Sequence, residues 1–221
     1  MAYADWDIIG TSTATTNSEI TGANTLPAGF GQFCRRMFGS GNKLLISGSV
    51  QSGAFVGIPS TKIIRTSLAI RKWFNSFIYN GGLVAKYTNS IATGYSLCYD
   101  ASPQAMVFKA NDGSNYSLGL TFPPGGTIDN TWFHLRMEIE EISPGTDRIL
   151  VSQEDPLGSG TWNLVSINGG VPANGITFLS TDPQYAAWGG VTRNGIVSEI
   201  QSAYSAGGIF FDQYEIELLD P

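Results

Sequence analysis

The sequence predicts an all-β fold, an antiparallel two-sheet β-sandwich, and three observations carry that prediction. Residues 132–140 alternate: Phe133, Leu135, Met137 and Ile139 fall on one side, His134, Arg136, Glu138 and Glu140 on the other. A period of two is that of a strand with one buried and one wet face. About a dozen short runs of this kind are separated by Gly, Pro and Asn turns, the spacing of sandwiches and barrels. Helical periodicity is almost missing, since only 198–205 offers a helical turn. With 221 residues, 42% of them hydrophobic and 12% aromatic, a single core is ordinary for such a fold.

The elements follow in order. Residues 1–31 are rich in Thr, Ser, Asn and Gly, with apolar points at Trp6, Ile8, Ile9 and Ile20. They read as an arm or a first strand with long loops, ending at Leu26-Pro27-Ala28-Gly29. Residues 30–38 make a strand stopped by Gly39-Ser40-Gly41-Asn42, and 43–50 and 54–58 are two further candidates around Ser52-Gly53. In 62–73, Ile64, Thr66, Leu68 and Ile70 share one face while Arg65, Ser67, Ala69 and Arg71 share the other. The runs 77–79 and 83–87 flank Asn80-Gly81-Gly82, which predicts a hairpin turn because Asn and Gly accept the positive φ it needs. Strands at 95–100, 105–110 and 116–122 are punctuated by Ser102-Pro103 and Asn111-Asp112-Gly113. Pro123-Pro124-Gly125-Gly126 is a hard stop before the alternating strand. A second hairpin joins 148–153 to 161–167 around residues 156–160. Residues 169–205 are loop-heavy, with brief extended pieces at 176–179 and 190–192, and 208–219 form the last strand. No linker splits the chain, so the expected organisation is an N-terminal segment, 1–43, and a sandwich domain, 44–221.

Composition narrows the function classes. Only 14% of residues are charged, against roughly a quarter in typical globular chains, so Ser, Thr, Asn and Gly must wet the surface. The net charge of −6 argues against nucleic acid, which needs Lys and Arg to displace counterions, and against anionic lipid. No apolar run is long enough to span a bilayer. The N-terminus carries Asp5 and Asp7 without a basic region, so no secretory signal is expected. Cys34 and Cys98 are isolated and read as two buried free thiols rather than a disulfide framework. A surface of extracellular character without export signal or disulfides fits virion components, folded in a bacterial cytosol and released by lysis. It fits a chain shorn of its signal equally well.

Three groups of segments are similar to a known family. They are Gly82-Leu83-Val84-Ala85-Lys86-Tyr87 with Gly94-Tyr95-Ser96-Leu97-Cys98-Tyr99-Asp100; Trp132-Phe133-His134-Leu135-Arg136-Met137-Glu138-Ile139 with Ile149-Leu150-Val151 and Thr161-Trp162-Asn163-Leu164-Val165; and Gly208-Ile209-Phe210-Phe211-Asp212-Gln213-Tyr214-Glu215-Ile216-Glu217. In order they resemble the concanavalin A-like lectin/glucanase jelly roll, laminin G-like relatives included, over about residues 44–219 by pattern. The resemblance implies a two-sheet sandwich with one concave face, used in the family to bind glycans, to cleave them, or as packing surface.

Candidate chemistry is sparse. Asp212, Glu215 and Glu217 do not match the Glu-x-Asp-x-x-Glu spacing of similar hydrolases, and by alternation Asp212 shares a face with Tyr214 and Ile216 while Glu215 and Glu217 take the other. Glu138 and Glu140 read as a wet face, and Arg65 and Arg71 are expected to pair with Glu215 and Glu217 across neighbouring strands. His134 is the only histidine. Without a nucleophile motif or a metal-ligand cluster it reads as a surface residue. No cofactor is expected; calcium is the one metal left open, with Asp100, Asn111 and Asp112 as loop oxygen donors. For a ligand, the aromatic loop 182–190 supplies Asp182, Tyr185 and Trp188, with Tyr204 beyond it; Trp188 reads equally as a plug or an oligomer contact.

The expected function is therefore a non-enzymatic structural protein of a tailed-phage virion, a head decoration or a tail, fibre or baseplate component. Assembled in the host cytoplasm, it would form a homo-oligomer and dock on other virion proteins through residues 1–43. The alternative is a carbohydrate-binding module for a cell-surface glycan, and a glycoside hydrolase is the least favoured class.

Overall fold

Period-two patterning folds into two antiparallel sheets. The computed structural model describes residues 6–10, 15–19, 33–37, 41–47, 62–73, 78–87, 94–100, 105–128, 131–188, 193–200 and 208–221. Among them the strands are β1 (Trp6–Gly10), β2 (Thr15–Glu19), β3 (Phe33–Met37), β4 (Gly41–Ser47), β5 (Ile63–Trp73), β6 (Ile78–Tyr87), β7 (Tyr95–Asp100), β8 (Ala105–Lys109), β9 (Asn115–Ser117), β10 (Phe133–Ser143), β11 (Thr146–Glu154), β12 (Trp162–Leu164), β13 (Ile176–Leu179), β14 (Arg193–Ile200) and β15 (Gly208–Leu219). One sheet runs β1-β4-β14-β6-β7-β8-β9. The other runs β12-β11-β10-β5-β15-β3-β2, with β13 also paired to β11. No helix among the described residues is long and apolar enough to cross a membrane. The N-terminal segment supplies edge strands to both sheets: β1 pairs with β4, β2 with β3, and β3 with β15.

The alternating stretch lies in β10, between β5 and β11. Its Phe133, Leu135, Met137 and Ile139 are buried, as are Ile64 and Leu68 of β5 and Ile149 and Val151 of β11. Facing them across the core are Leu83, Ala85, Tyr95, Leu97, Tyr99 and Phe108 of the other sheet. Tyr95, Phe108 and Phe178 stack at centroid separations of 5.8 to 6.2 Å. Burial of this apolar area, at about 25 cal/mol per Å², is the driving force that holds two otherwise independent sheets together.

Four expectations are corrected. Asn80-Gly81-Gly82 is no hairpin: β6 runs straight through it, pairing Gly81 with Tyr99 and Gly82 with Cys98. A Cβ on Gly82 would sit 2.0 Å from the Leu97 carbonyl oxygen, so glycine here admits a neighbouring backbone rather than a turn. The helical turn expected at 198–205 is strand as far as Ile200, and residues 201–205 lie outside the described residues; β14 sits mid-sheet between β4 and β6. In β15, Gln213 has a φ of 50°, and the register against β5 shifts between Asp212 and Glu215. This bulge reverses the parity of the strand, so Phe211 and Tyr214 are both buried. Asp212 therefore shares the outer face with Glu215 and Glu217, rather than the inner one with Tyr214. The fourth correction is His134, expected on the surface but only 7% exposed.

Cys98 is buried, with its Sγ 3.8 Å from the Ser96 hydroxyl; the side chain of Cys34 lies outside the described residues. On the outer face, Arg65 does pair with Glu217, at 3.4 Å, and more closely with Glu138, at 2.6 Å. Arg71 is instead set by register against Phe210 and is 2% exposed, away from Glu215.

Candidate functional site

Two turns rise beside the N-terminal end of β10 and the C-terminal end of β11. In Pro123-Pro124-Gly125-Gly126 the Gly126 N–H donates to the Pro123 carbonyl at 2.8 Å. In Pro156-Leu157-Gly158-Ser159 the Ser159 N–H donates to the Pro156 carbonyl at 3.0 Å. Each has glycine at its third position, Gly125 with φ 73° and Gly158 with φ 81°, the left-handed conformation that such turns require. Between them lies an open cleft of about 860 Å³, lined by Thr121, Phe122, Pro123, Pro124, Thr131, Trp132, Gln153, Glu154, Asp155 and Leu157 among others. Its size is that of a small-molecule site.

The cleft is stiffened from below. The Gln153 amide clamps Thr121 in both directions: the Thr121 N–H donates to Oε1 at 2.9 Å, and Nε2 donates to the Thr121 carbonyl at 2.8 Å. Phe122 meets Phe133 edge-on at 5.4 Å, yet it stays 42% exposed. An aromatic ring that touches the core on one side and stays largely exposed beside a cleft is suited to stacking rather than to core packing.

On the outer face next to the cleft, Glu154 Oε2 lies 2.8 Å from His134 Nδ1, and Oε1 accepts the Gly160 N–H at 2.6 Å. Burial pushes the Glu154 carboxyl up, but His134 and the Gly158 and Gly160 amides outweigh it and hold the group below its usual range. His134 packs edge-on against Trp162 at 4.6 Å, and the Arg136 guanidinium covers the same indole at 3.7 Å. A carboxylate kept ionised in this way is suited to accepting hydrogen bonds and unsuited to acting as a general acid.

The aromatic loop expected to bind ligand goes elsewhere. Trp188 and Tyr185 close over Lys86, whose Nζ lies 3.9 Å and 5.4 Å from their ring centroids. The Trp188 indole N–H donates to Asp147 Oδ1. Lys86 Nζ and the Tyr95 hydroxyl each reach Asp147 Oδ2 at 2.8 Å, and the Tyr95 oxygen accepts the Ala186 N–H at 3.0 Å. With its N–H bonded to Asp147 and Lys86 over its ring, Trp188 closes over the ion pair at this end of the sandwich. Asp182 caps its own turn, accepting the Leu179 N–H at 2.8 Å. Tyr204 lies outside the described residues. Along β11, Glu154 lies seven steps beyond Asp147, so the plug and the cleft stand roughly 23 Å apart at opposite strand ends.

The calcium candidates are spent on protein partners. Asp100 accepts from Asn115 at 2.7 Å and faces Lys109 at 3.2 Å. Asn111 accepts the Gly94 N–H and donates toward the Pro183 and Tyr185 carbonyls. Asp112 accepts the Ser114 N–H and hydroxyl and the Gln184 amide. Among the described residues, no group of three or more His, Cys, Asp or Glu could hold a metal ion. Phe122, Thr131, Leu157 and Asp155 were not candidates from the sequence. The signal that could have found them is two Pro–Gly turns with adjacent aromatics, bracketing the ends of neighbouring strands.

No protein-family model matches the chain, and no curated protein matches it in sequence. Solved structures do share its fold. A protein of unknown function from Shewanella oneidensis MR-1 superposes with a TM-score of 0.54 at 10% identity, over 99% of this chain and 80% of that one. Arcelin-5, a lectin-like defence protein from Phaseolus vulgaris, superposes with a TM-score of 0.52 at 6% identity, over 100% of this chain and 95% of that one. At such identities the likeness is of fold alone, and the chain is an all-β, two-sheet sandwich of the lectin-like kind.

Proposed function

We propose that the protein is a non-enzymatic, lectin-like carbohydrate-binding domain whose ligand lies in the cleft between the two Pro–Gly turns. The observation that carries this reading is the exposed Phe122 ring in an open cleft that also presents Thr131, Asp155 and Leu157. A sugar offers an apolar ring face for stacking and hydroxyls for hydrogen bonds, and this lining supplies both. Among the described residues the lining includes two acids and no lysine or arginine, which favours neutral glycans over uronic or sialic acids. Binding is expected without a metal, and so to survive EDTA. The test is a glycan array followed by calorimetry on the best hit. Phe122→Ala should weaken binding at least tenfold while Trp188→Ala, at the far end, should not do so selectively. Silence across neutral bacterial polysaccharides, or an unaffected Phe122→Ala, refutes the assignment.

The second reading is structural: a component of a tailed-phage head or tail on a concanavalin A-like jelly roll, homo-oligomeric and docked through residues 1–43. The low charge content and the Ser/Thr/Asn/Gly-rich N-terminal segment favour it. The two readings are compatible in a host-attachment element. Light scattering and capture of phage head or tail proteins test this one: a monomer that captures neither refutes it.

A further inference from the structure

Lys86 and Asp147 form an ion pair in which both side chains are 0% exposed, with Nζ 2.8 Å from Oδ2. They belong to opposite sheets. Asp147 points inward by the parity that buries Ile149 and Val151. Lys86 follows the inward Ala85 and should point out. Instead it has a φ of 52°, and between Gly195 and Arg193 the register against β14 advances by three residues of β6. A bulge thus turns a non-glycine residue into the left-handed region to bring its amine inside, a strain that persists only where the surroundings enforce it.

The pair sits beneath Tyr95, Tyr185 and Trp188. Glu141 adds its charge near Lys86 and accepts the Tyr185 hydroxyl. Two charges withdrawn from water recover only part of their hydration from each other. Joining them as an amide removes both charges and expels one water.

We propose that Lys86 and Asp147 condense into an intramolecular isopeptide bond that ties the two sheets together. The ammonium proton passes to the aspartate, leaving a neutral amine beside a carboxylic acid. The amine lone pair attacks Asp147 Cγ, and the Tyr95 O–H and Trp188 N–H, already aimed at the two carboxyl oxygens, meet the developing oxyanion. An amine proton goes to the departing oxygen; the C–O bond breaks and water leaves. One N–C bond forms, and no oxidant or cofactor is consumed. Burial lowers the Lys86 pKa to about 8, which raises the share of nucleophilic amine at neutral pH.

Intact-mass measurement of the purified chain tests this. The expected mass is one water below that of the sequence, with the tryptic peptides 73–109 and 137–148 recovered as one branched species and no cleavage after Lys86. The Lys86→Met variant should return to its full sequence mass. A wild-type chain at full mass, or a lost water located elsewhere, for instance as an imide at Asp112-Gly113, overturns the proposal. This readout is independent of glycan binding, so the two can fail separately.

Discussion

Replacing Asp147 by leucine while Lys86 remains strands an amine in the interior. Burial already lowers the Lys86 pKa to about 8, and Asp147 is the largest influence opposing that fall. Without it the folded chain holds the lysine as a buried cation beside the weaker influence of Glu141, or discharges it. Discharging a lysine of ordinary pKa 10.5 at pH 7 sets a ceiling of about 5 kcal/mol, at about 1.36 kcal/mol for each of 3.5 pH units. Broken buried pairs cost a similar ~3–5 kcal/mol. The double variant Lys86→Met/Asp147→Leu removes both charges. It leaves the Tyr95 hydroxyl and the Trp188 N–H as the single variant does, so those losses cancel in the comparison. Urea unfolding at pH 7 should therefore show the single variant less stable than the double by about 3–5 kcal/mol. The sign with pH is fixed. A lysine whose folded pKa lies below its unfolded one binds fewer protons folded than unfolded, so stability rises with pH until the unfolded chain discharges too. The gap should close toward pH 10. Because both members are variants, the comparison holds whether or not the wild-type side chains are joined. Equal stabilities at pH 7, or a gap unchanged up to pH 10, would refute this account of the pair.

Three further outcomes are expected. Gly82→Ala drives a Cβ to 2.0 Å from the Leu97 carbonyl and 2.7 Å from the Cys98 Cα; backbone cannot yield as a side chain can, so the cost should reach ~3 kcal/mol, read as a fall in Tm of roughly 6–12 °C. Arg65→Ala opens partly exposed pairs with Glu138 and Glu217 and should cost under ~1 kcal/mol, less in high salt; a larger loss would mean the outer face does more than balance charge. For Glu154→Gln, the wild-type carboxyl is held below its usual range, so its contribution is present above the unfolded pKa and lost as pH falls through the lower folded one. The variant should lose about 1–3 kcal/mol at pH 7, with the deficit disappearing in acid, and a deficit that persists there would contradict the charged role.

Unbroken parity made most strands legible, although the alternating run 116–122 is strand only as far as Ser117. In β10 and β5 the alternation alone assigns Phe133, Leu135, Met137, Ile64 and Leu68 to the core, because the side-chain period of a strand is a backbone property needing no tertiary information. The acidic, weakly charged composition likewise disfavours nucleic acid without reference to any fold. Parity failed at Lys86 and Gln213, where single bulges re-aim the chain; nothing local distinguishes those residues, since the bulge is enforced by the strand alongside. His134 reads as wet in β10 and is buried because Glu154 and Trp162, 20 and 28 residues onward, fold over it. The Pro–Gly turns could be read as turns from sequence. That the two stand on one rim, with Phe122 open between them, follows only from the antiparallel pairing of β10 and β11, which brings the start of one strand beside the end of the other.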